Sequence, residues 1–443
     1  NVFDIQQGVA IAFFVKRAKG NGVQTCVHHA DLWGSRDEKY AWLSKHDWKH
    51  TPWQELHPGP GFYLFIPTDE RALEQYNAFP KITDIFPLNV IGIQTHRDHF
   101  VIDFDREALK HRIRTFLDPS LPDELVRETF GLKDTRDWRL VEKRRLLQED
   151  KDWEKKIVPC LYRPFDIRWL FYHRHAIDFS REKVMRHLLD VDNVALLVNR
   201  RTHELDWKHA FVTRCPASAV AVEVKAGCYV MPLRLLPGRP MEEEAENVAR
   251  GLLEILADRF GKRCESSEIL AYVYAVLYSN TYREKYAEFL RIDFPRIPFT
   301  ADYELFKRMV ELGKRLVDLH LLRSPELDPP IARFQGEGDG KVESGKRGLR
   351  YDPENERVYI NETQYFEGVP PEVWEYRIGG YQGCHKWLKD RKGRVLSLDE
   401  IRTYCHIVTA LTKTIEIQDA IDKLYHQVEK ELLTYAPSGG GNA

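Results

Sequence analysis

The spacing of apolar residues changes near Arg239, and no single secondary-structure period serves both sides of that point. Before it, short apolar runs alternate with turn residues, as in "ITDIFPLNVIGIQTHRDHFVIDF" (Ile82 to Phe104), the pattern turns helical at "DREALKHRIRTFL", and short strands with intervening helices continue. After it, "MEEEAENVARGLLEILADRF", "SSEILAYVYAVLYS", "TYREKYAEFLR" and "DYELFKRMVELGKRLVDLHLL" place apolar residues at three- and four-residue steps. Leu305, Met309, Leu312, Leu316 and Leu319 are one such stripe. This predicts a helical section of roughly 80 residues. Pro295 and Pro298 in "RIDFPRIPF" interrupt it and force an extended crossing.

Smaller signals refine this. Val9 to Val15 reads as a buried strand, "VQTCVHHADLWG" as a second β-like piece and "GFYLFIP" (Gly61 to Pro67) as a third. The chain opens without Met directly into an apolar run, from which we expect that it begins inside a larger polypeptide. "SPELDPP" and "GEGDGKVESGKRG" (Gly336 to Gly348) read as the clearest linker. Beyond it, "RYDPENERVYI" predicts a hairpin. "SLDE" (Ser397 to Glu400) is a capping box that opens a long amphipathic helix through Ile401, Val408, Leu411, Ile415, Ile421 and Val428. "PSGGGNA" reads as a frayed end.

With 66 basic and 68 acidic residues the net charge is −2, so any site for a polyanion has to be local. At 443 residues and 43% hydrophobic, the chain can build two or three packed units. Its seven cysteines are scattered and never in C-x-x-C spacing, which argues against disulfides and a zinc knuckle and fits a reducing cytoplasm. No apolar run is long enough for a membrane helix and no signal segment opens the chain, so a soluble protein is expected.

Catalytic motifs give near misses. "GKVESGKR" (Gly340 to Arg347) has P-loop spacing up to its lysine, but Arg347 stands where a Mg²⁺-binding Ser or Thr belongs. "AVEVKAG" puts Glu223 and Lys225 on one face of an expected strand, the arrangement by which nucleases hold Mg²⁺ and activate water. Alternating charge on a half-exposed strand is far more common than such a centre. His96 and His99 in "HRDH" point to opposite faces if the stretch is a strand, which favours solvated histidines over a metal site. No catalytic residue and no metal ligand is assigned.

Two stretches have another character. "YRPFDIRWLFYHRH" interleaves Arg163, Arg168 and Arg174 with aromatic residues, and "VNRRTHELDWKH" adds Arg200, Arg201 and Lys208; Arg136 to Arg214 holds 18 basic against 13 acidic residues. "IGGYQGCHKWLKDRKGR" (Ile378 to Arg394) carries Lys386, Lys389, Arg391, Lys392 and Arg394 against the single acid Asp390. Arginines among aromatics can bury their stems at the edge of a core. Two such stretches in one neutral chain point to a polyanion.

"NVFDIQQGVAIAFFVK", "ADLWGSRDEKYAWL", "LYRPFDIRWLFYH", "YAVLYSNTYREKYAEFLRIDFPRIPF", "INETQYFEGVPPEVWEYRIGGYQGCHKWLKDRKGR" and "LDEIRTYCHIVTALTKTIEI" together resemble the C-terminal part of type ISP restriction-modification enzymes. That family joins nuclease, helicase-like translocase, adenine-N6 methyltransferase and target-recognition domains in one polypeptide. The resemblance implies an α+β fold, a β-rich, mixed target-recognition domain with a helical section, carrying the terminal strands of an α/β methyltransferase fold. It implies residues 1–60 as the methyltransferase edge, 61–335 as the core of the target-recognition domain, and 349–436 as a C-terminal hairpin, basic segment and long helix. It also implies double-stranded DNA as partner, with the methyltransferase and helicase-nuclease domains present in the same polypeptide or in trans.

S-adenosylmethionine is implied for the parent enzyme and no cofactor for this chain, because the Asn-Pro-Pro-Tyr motif and the Gly-containing cofactor loop do not occur in it. A base methylated at its exocyclic nitrogen leaves the stack, so a second body is needed to grip the duplex and read neighbouring base edges. On this view Arg163, Arg168, Arg200, Arg201, Lys386, Lys389, Arg391, Lys392 and Arg394 are expected at DNA. Gly379 and Gly380 allow close approach, Tyr381 and Gln382 meet base or sugar, and Cys384, Trp387 and Leu388 face inward. The alternatives are a Mg²⁺-dependent nuclease centred on Glu223 and Lys225, and a coupling module that touches no DNA.

Overall fold

The computed structural model describes residues 9–16, 26–59, 63–67, 69–238, 243–345 and 347–435. The chain parts into two compact units, Asn1–Asn77 and Ala78–Ala443. In the first, the Val27–His29 and Gln54–Leu56 strands pair antiparallel, and the Arg36–Leu43 helix between them starts at a Ser35/Glu38 capping box. The strand expected from Val9 to Val15 is not formed: residues 9–16 have no regular structure, and Phe13 and Phe14 are each 84% exposed. A strand needs a neighbour for its N–H and C=O groups, and among the described residues none pairs with this run. Gly61 and Phe62 lie outside the described residues, and Tyr63 to Pro67 is not a strand either.

The larger unit is α+β, with several small antiparallel sheets against a helical layer. One sheet runs in the order Val90–Ile91, Cys228–Pro232, Ala195–Asn199, Ala210–Thr213; a second runs Ile102–Asp103, Asp166–Phe171, Ile157–Arg163. A third joins Arg333–Gln335, Tyr365–Glu367, Arg357–Tyr359 and Arg350–Asp352, the last two forming the expected hairpin. Helices Ser266–Tyr278, Tyr303–His320 and Leu398–Val428 make the helical layer. Every residue from Ile269 to Tyr278 is buried, so this helix is apolar all round, and its tyrosine hydroxyls need partners inside. Tyr272 donates to the Pro298 carbonyl at 3.0 Å and Tyr278 to the Ala210 carbonyl at 3.0 Å. Gly313 lets the next helix close in, since a Cβ there would lie 1.9 Å from the Ala271 carbonyl oxygen. The capping box at Ser397 and Glu400 opens the 31-residue last helix as expected. The Pro295–Pro298 crossing is extended and binds the chain at Pro80 and Ile82.

Two expectations change. The helix read from Met241 begins only at Arg250, Glu243 onward first running through a short strand at Ala245–Glu246; Met241 itself lies outside the described residues. Gly336 to Gly348 is woven into the larger unit instead of separating two bodies. Val342 is buried, its N–H bonds the Arg394 carbonyl at 2.9 Å, and its carbonyl accepts from Gly393 at 2.7 Å. Gly336 and Gly340 have φ of +93° and +76°, so here the glycines serve tight left-handed turns that read like a linker in sequence. Among the described residues no helix is long and apolar enough to cross a membrane.

His320 is buried between helices, with Nδ1 2.6 Å from the Tyr274 hydroxyl and Nε2 2.9 Å from that of Thr414. Burial, reinforced by the Arg283 charge, pushes its pKa down to about 3. The folded imidazole stays neutral where the unfolded one takes up a proton. Its contribution to stability is therefore complete above the unfolded value of about 6.5 and is lost as pH falls toward the folded value. The stability difference between wild type and His320→Asn, from urea denaturation, is expected to fall by about 2 kcal/mol between pH 7 and pH 5. A difference that stays constant would contradict the buried neutral state.

Candidate nucleic-acid interface

The stretch "YRPFDIRWLFYH" forms a tight hairpin, turning at Pro164 and Phe165, the latter at φ +61°. Strand alternation places Asp166 and Arg168 on the inner face and exposes Ile167. Both Nε and Nη2 of Arg168 donate to Oδ2 of Asp166, at 2.9 and 2.7 Å, and Nη2 also reaches Asp390 at 3.2 Å. The other oxygen of Asp166 accepts from Nη2 of Arg391 at 2.9 Å. Arg391 donates in addition to Glu400 at 3.1 Å and to the Trp387 carbonyl at 3.1 Å. Its guanidinium lies 3.4 Å from the centre of the Trp387 ring. Burial lowers the pKa of Arg391 against the opposing pull of Asp166 and Glu400; an arginine keeps its charge regardless. Phe104 is flanked by the guanidiniums of Arg168, Arg391 and Arg394, at 4.1, 4.8 and 4.2 Å from its centre. Lys386 pairs with Asp390, and Arg394 lies 3.8 Å from Glu400.

The aromatic and arginine alternation thus builds a buried ion-pair lattice joining the hairpin to the start of the last helix. Arg163 belongs to its margin: it is buried, donates to the Tyr162 carbonyl at 2.6 Å and stacks on Tyr162. A phosphate could reach Arg391 or Arg168 only by breaking these bonds. Lys389 and Lys392 are exposed, as is Arg201, while Arg200 is 59% exposed and donates to Asp293 at 3.1 Å. The partners that sequence reasoning missed are Asp166 and Glu400. The available signal was the presence of isolated acids within basic, aromatic stretches.

Gly379 and Gly380 permit a close approach, but to protein backbone. Gly379, at φ +56°, would bring a Cβ within 2.2 Å of the Val222 carbonyl oxygen. Its N–H bonds the Lys208 carbonyl at 2.7 Å, and that of Gly380 bonds Val222 at 3.0 Å. The Tyr381 hydroxyl donates to the Val220 carbonyl at 2.8 Å, and Gln382 Nε2 to the Trp374 carbonyl at 2.6 Å. Cys384, Trp387 and Leu388 are buried on the inner side of the Gly383–Lys389 helix.

The strand expected around Glu223 is a loop. Glu223 is buried, with Oε2 3.1 Å from Nε2 of His209, whereas Lys225 is exposed, so the two do not share a face as a nuclease pair would. Nor is "HRDH" a strand: His99 lies in the short Asp98–Val101 helix, 3.0 Å from the Phe130 carbonyl, and His96 contacts Asp178 at 2.6 Å. Among the described residues no group of three His, Cys, Asp or Glu side chains is arranged to hold a metal ion. All seven cysteines are free thiols.

The model of the Type ISP C-terminal specificity domain matches residues 84–420. The chain belongs to this family. No curated protein sequence matches the specificity domain described here. Its fold is similar to that in a cryo-EM structure of a DrdV–DNA complex, with TM-score 0.67 and 20% identity over 87% of this chain. It is also similar to a nuclease-deletion mutant of the Type ISP restriction-modification enzyme LlaGI in complex with a DNA substrate mimic, with TM-score 0.63 and 18% identity over 90%. A third similar structure is the ATP-dependent Type ISP restriction-modification enzyme LlaBIII bound to DNA, with TM-score 0.64 and 17% identity over 83%. This chain spans 42%, 33% and 26% of those three chains, respectively.

Breaking a buried ion pair by removing one partner costs about 3–5 kcal/mol. Asp166→Ala is expected to lose stability on that scale, because it removes the buried carboxylate that Arg168 and Arg391 share, leaving them only Asp390 and Glu400. Lys389→Ala and Lys392→Ala are expected to stay within about 0.5 kcal/mol of wild type. Urea denaturation of the three variants tests this, and an unchanged midpoint for Asp166→Ala would show that the lattice does not hold the specificity domain together.

Proposed function

We propose that this chain recognises double-stranded DNA sequence-selectively, as the specificity part of a restriction-modification enzyme. The observation that carries this reading is the specificity-domain match over residues 84–420, supported by similarity to enzymes whose structures were solved with DNA or a DNA mimic. In the proposed enzyme an adenine-N6 methyltransferase and helicase-nuclease domains act with this chain, in the same polypeptide or in trans, in the cytoplasm. S-adenosylmethionine belongs to that methyltransferase, since its sequence motifs do not occur in this chain.

Division of labour among the basic residues follows from their surroundings. Lys389, Lys392, Arg200 and Arg201 are accessible and suit phosphate contacts, which set register without choosing sequence. Arg163, Arg168, Arg391 and Arg394 serve DNA by holding the frame, with Lys386, Tyr381 and Gln382 at its edge. The net charge of −2 makes non-specific attraction weak, so discrimination has to come from a few local contacts.

Selection from a pool of random duplexes is expected to enrich one motif, and recovery of the unselected pool would contradict recognition. On the enriched duplex, Lys389→Ala and Lys392→Ala are each expected to weaken specific and random DNA alike. Each should lower the slope of log K against log salt by about 0.9. Unchanged slopes would remove these two lysines from the interface while leaving the selection result standing.

A further inference from the structure

Three loops meet at one end of the Val90–Thr213 sheet. They are residues 200–209, residues 220–227 and the turn of the Arg377–Gln382 hairpin. One buried carboxylate ties the first two together. Glu223 accepts at Oε2 from His209, 3.1 Å away, and the Thr202 hydroxyl lies 3.1 Å from the same imidazole nitrogen. Burial pushes the Glu223 carboxyl up, but bonds from His209, Thr202 and the His203 N–H outweigh it and hold the pKa below the ordinary value. The third loop closes on both through Gly379 and Gly380. A Cβ on Gly380 would lie 3.2 Å from Glu223 Cγ and 3.8 Å from Glu204 Oε1, so the residues that precede the two loop tips converge on one glycine.

The tips themselves are Leu205, 79% exposed, and Val224, 63% exposed. A single exposed aliphatic residue is ordinary. These two are different because their loops are rigid at the base: Trp207 and His209 are buried, and the Thr202 N–H bonds the Arg291 carbonyl at 3.1 Å. Cations stand around them, together with the acids Glu204 and Asp206 on either side of Leu205. Arg201 and Lys225 are exposed and form no ion pair among the described residues, and Arg377 stands beside Glu204 at 3.6 Å. Preorganised apolar points flanked by unpaired cations match a surface whose centre is base edges and whose borders are phosphates.

We propose that this three-loop rim is where the chain meets the duplex, with Leu205 and Val224 against base edges and Arg201 and Lys225 against phosphates. The proposal rests on DNA recognition as the function and adds its location, a surface distinct from the lattice around Asp166. All four side chains are exposed, so their substitution leaves the fold intact, which a thermal melt verifies. The test uses the whole chain, the duplex enriched by selection and a random duplex, each across a range of salt concentrations.

Leu205→Ser and Val224→Ser are expected to cut the ratio of specific to random affinity at least tenfold with unchanged salt slope. Arg201→Gln and Lys225→Gln are expected to weaken both duplexes alike, with each slope reduced by about 0.9. If wild type enriches a motif but all four variants match it in affinity, discrimination and slope, the rim is not the contact and recognition stands. If wild type itself shows no preference between duplexes, recognition and rim fall together.

Discussion

The carboxylate of Asp166 is the point on which the larger unit depends. It is fully buried, and each of its oxygens is claimed by a guanidinium, one from its own strand and one from the turn that follows the Gly383–Lys389 helix. A lone carboxylate in that position would be costly, and so would either arginine without it. Flat aromatic faces complete the arrangement: Phe104, Tyr162 and Trp387 lie against the guanidiniums.

How much was legible in sequence divides along the range of the interactions. The capping box at Ser397, the hairpin at Arg350 to Tyr359, the crossing at Pro295 and Pro298 and the helical stripe from Leu305 to Leu319 all depend on residues within a turn or two of one another. Local rules find them. The basic run from Lys386 to Arg394 could not be resolved the same way, since the residues that neutralise it come from Asp166 and Glu400 as well as Asp390. Sequence shows an excess of positive charge there, and only the fold shows that part of it is already matched.

Glycine was the other source of misreading, and for a related reason. The residues around Gly336 and Gly340 have the composition of a linker, but what composition records is permission for left-handed backbone, which tight internal turns need as much as mobile ones. Gly379 and Gly380 do bring a backbone close, but where close approach to DNA was expected the partner is the protein's own loop at Val222. Glu223 was singled out for its spacing from Lys225, yet its importance lies in being enclosed, where it orders two loops whose tips remain in water.

Asp166 and Arg391 are 225 residues apart along the chain. During synthesis the hairpin emerges from the ribosome long before the arginine that completes it, at elongation rates of about 5–20 residues per second. Throughout that interval the carboxylate oxygen that Arg391 takes in the finished fold has to be matched by water. The bond between Asp166 and Arg391 is thus a late one, and a nascent chain halted before Arg391 lacks one of the two guanidiniums that match this carboxylate.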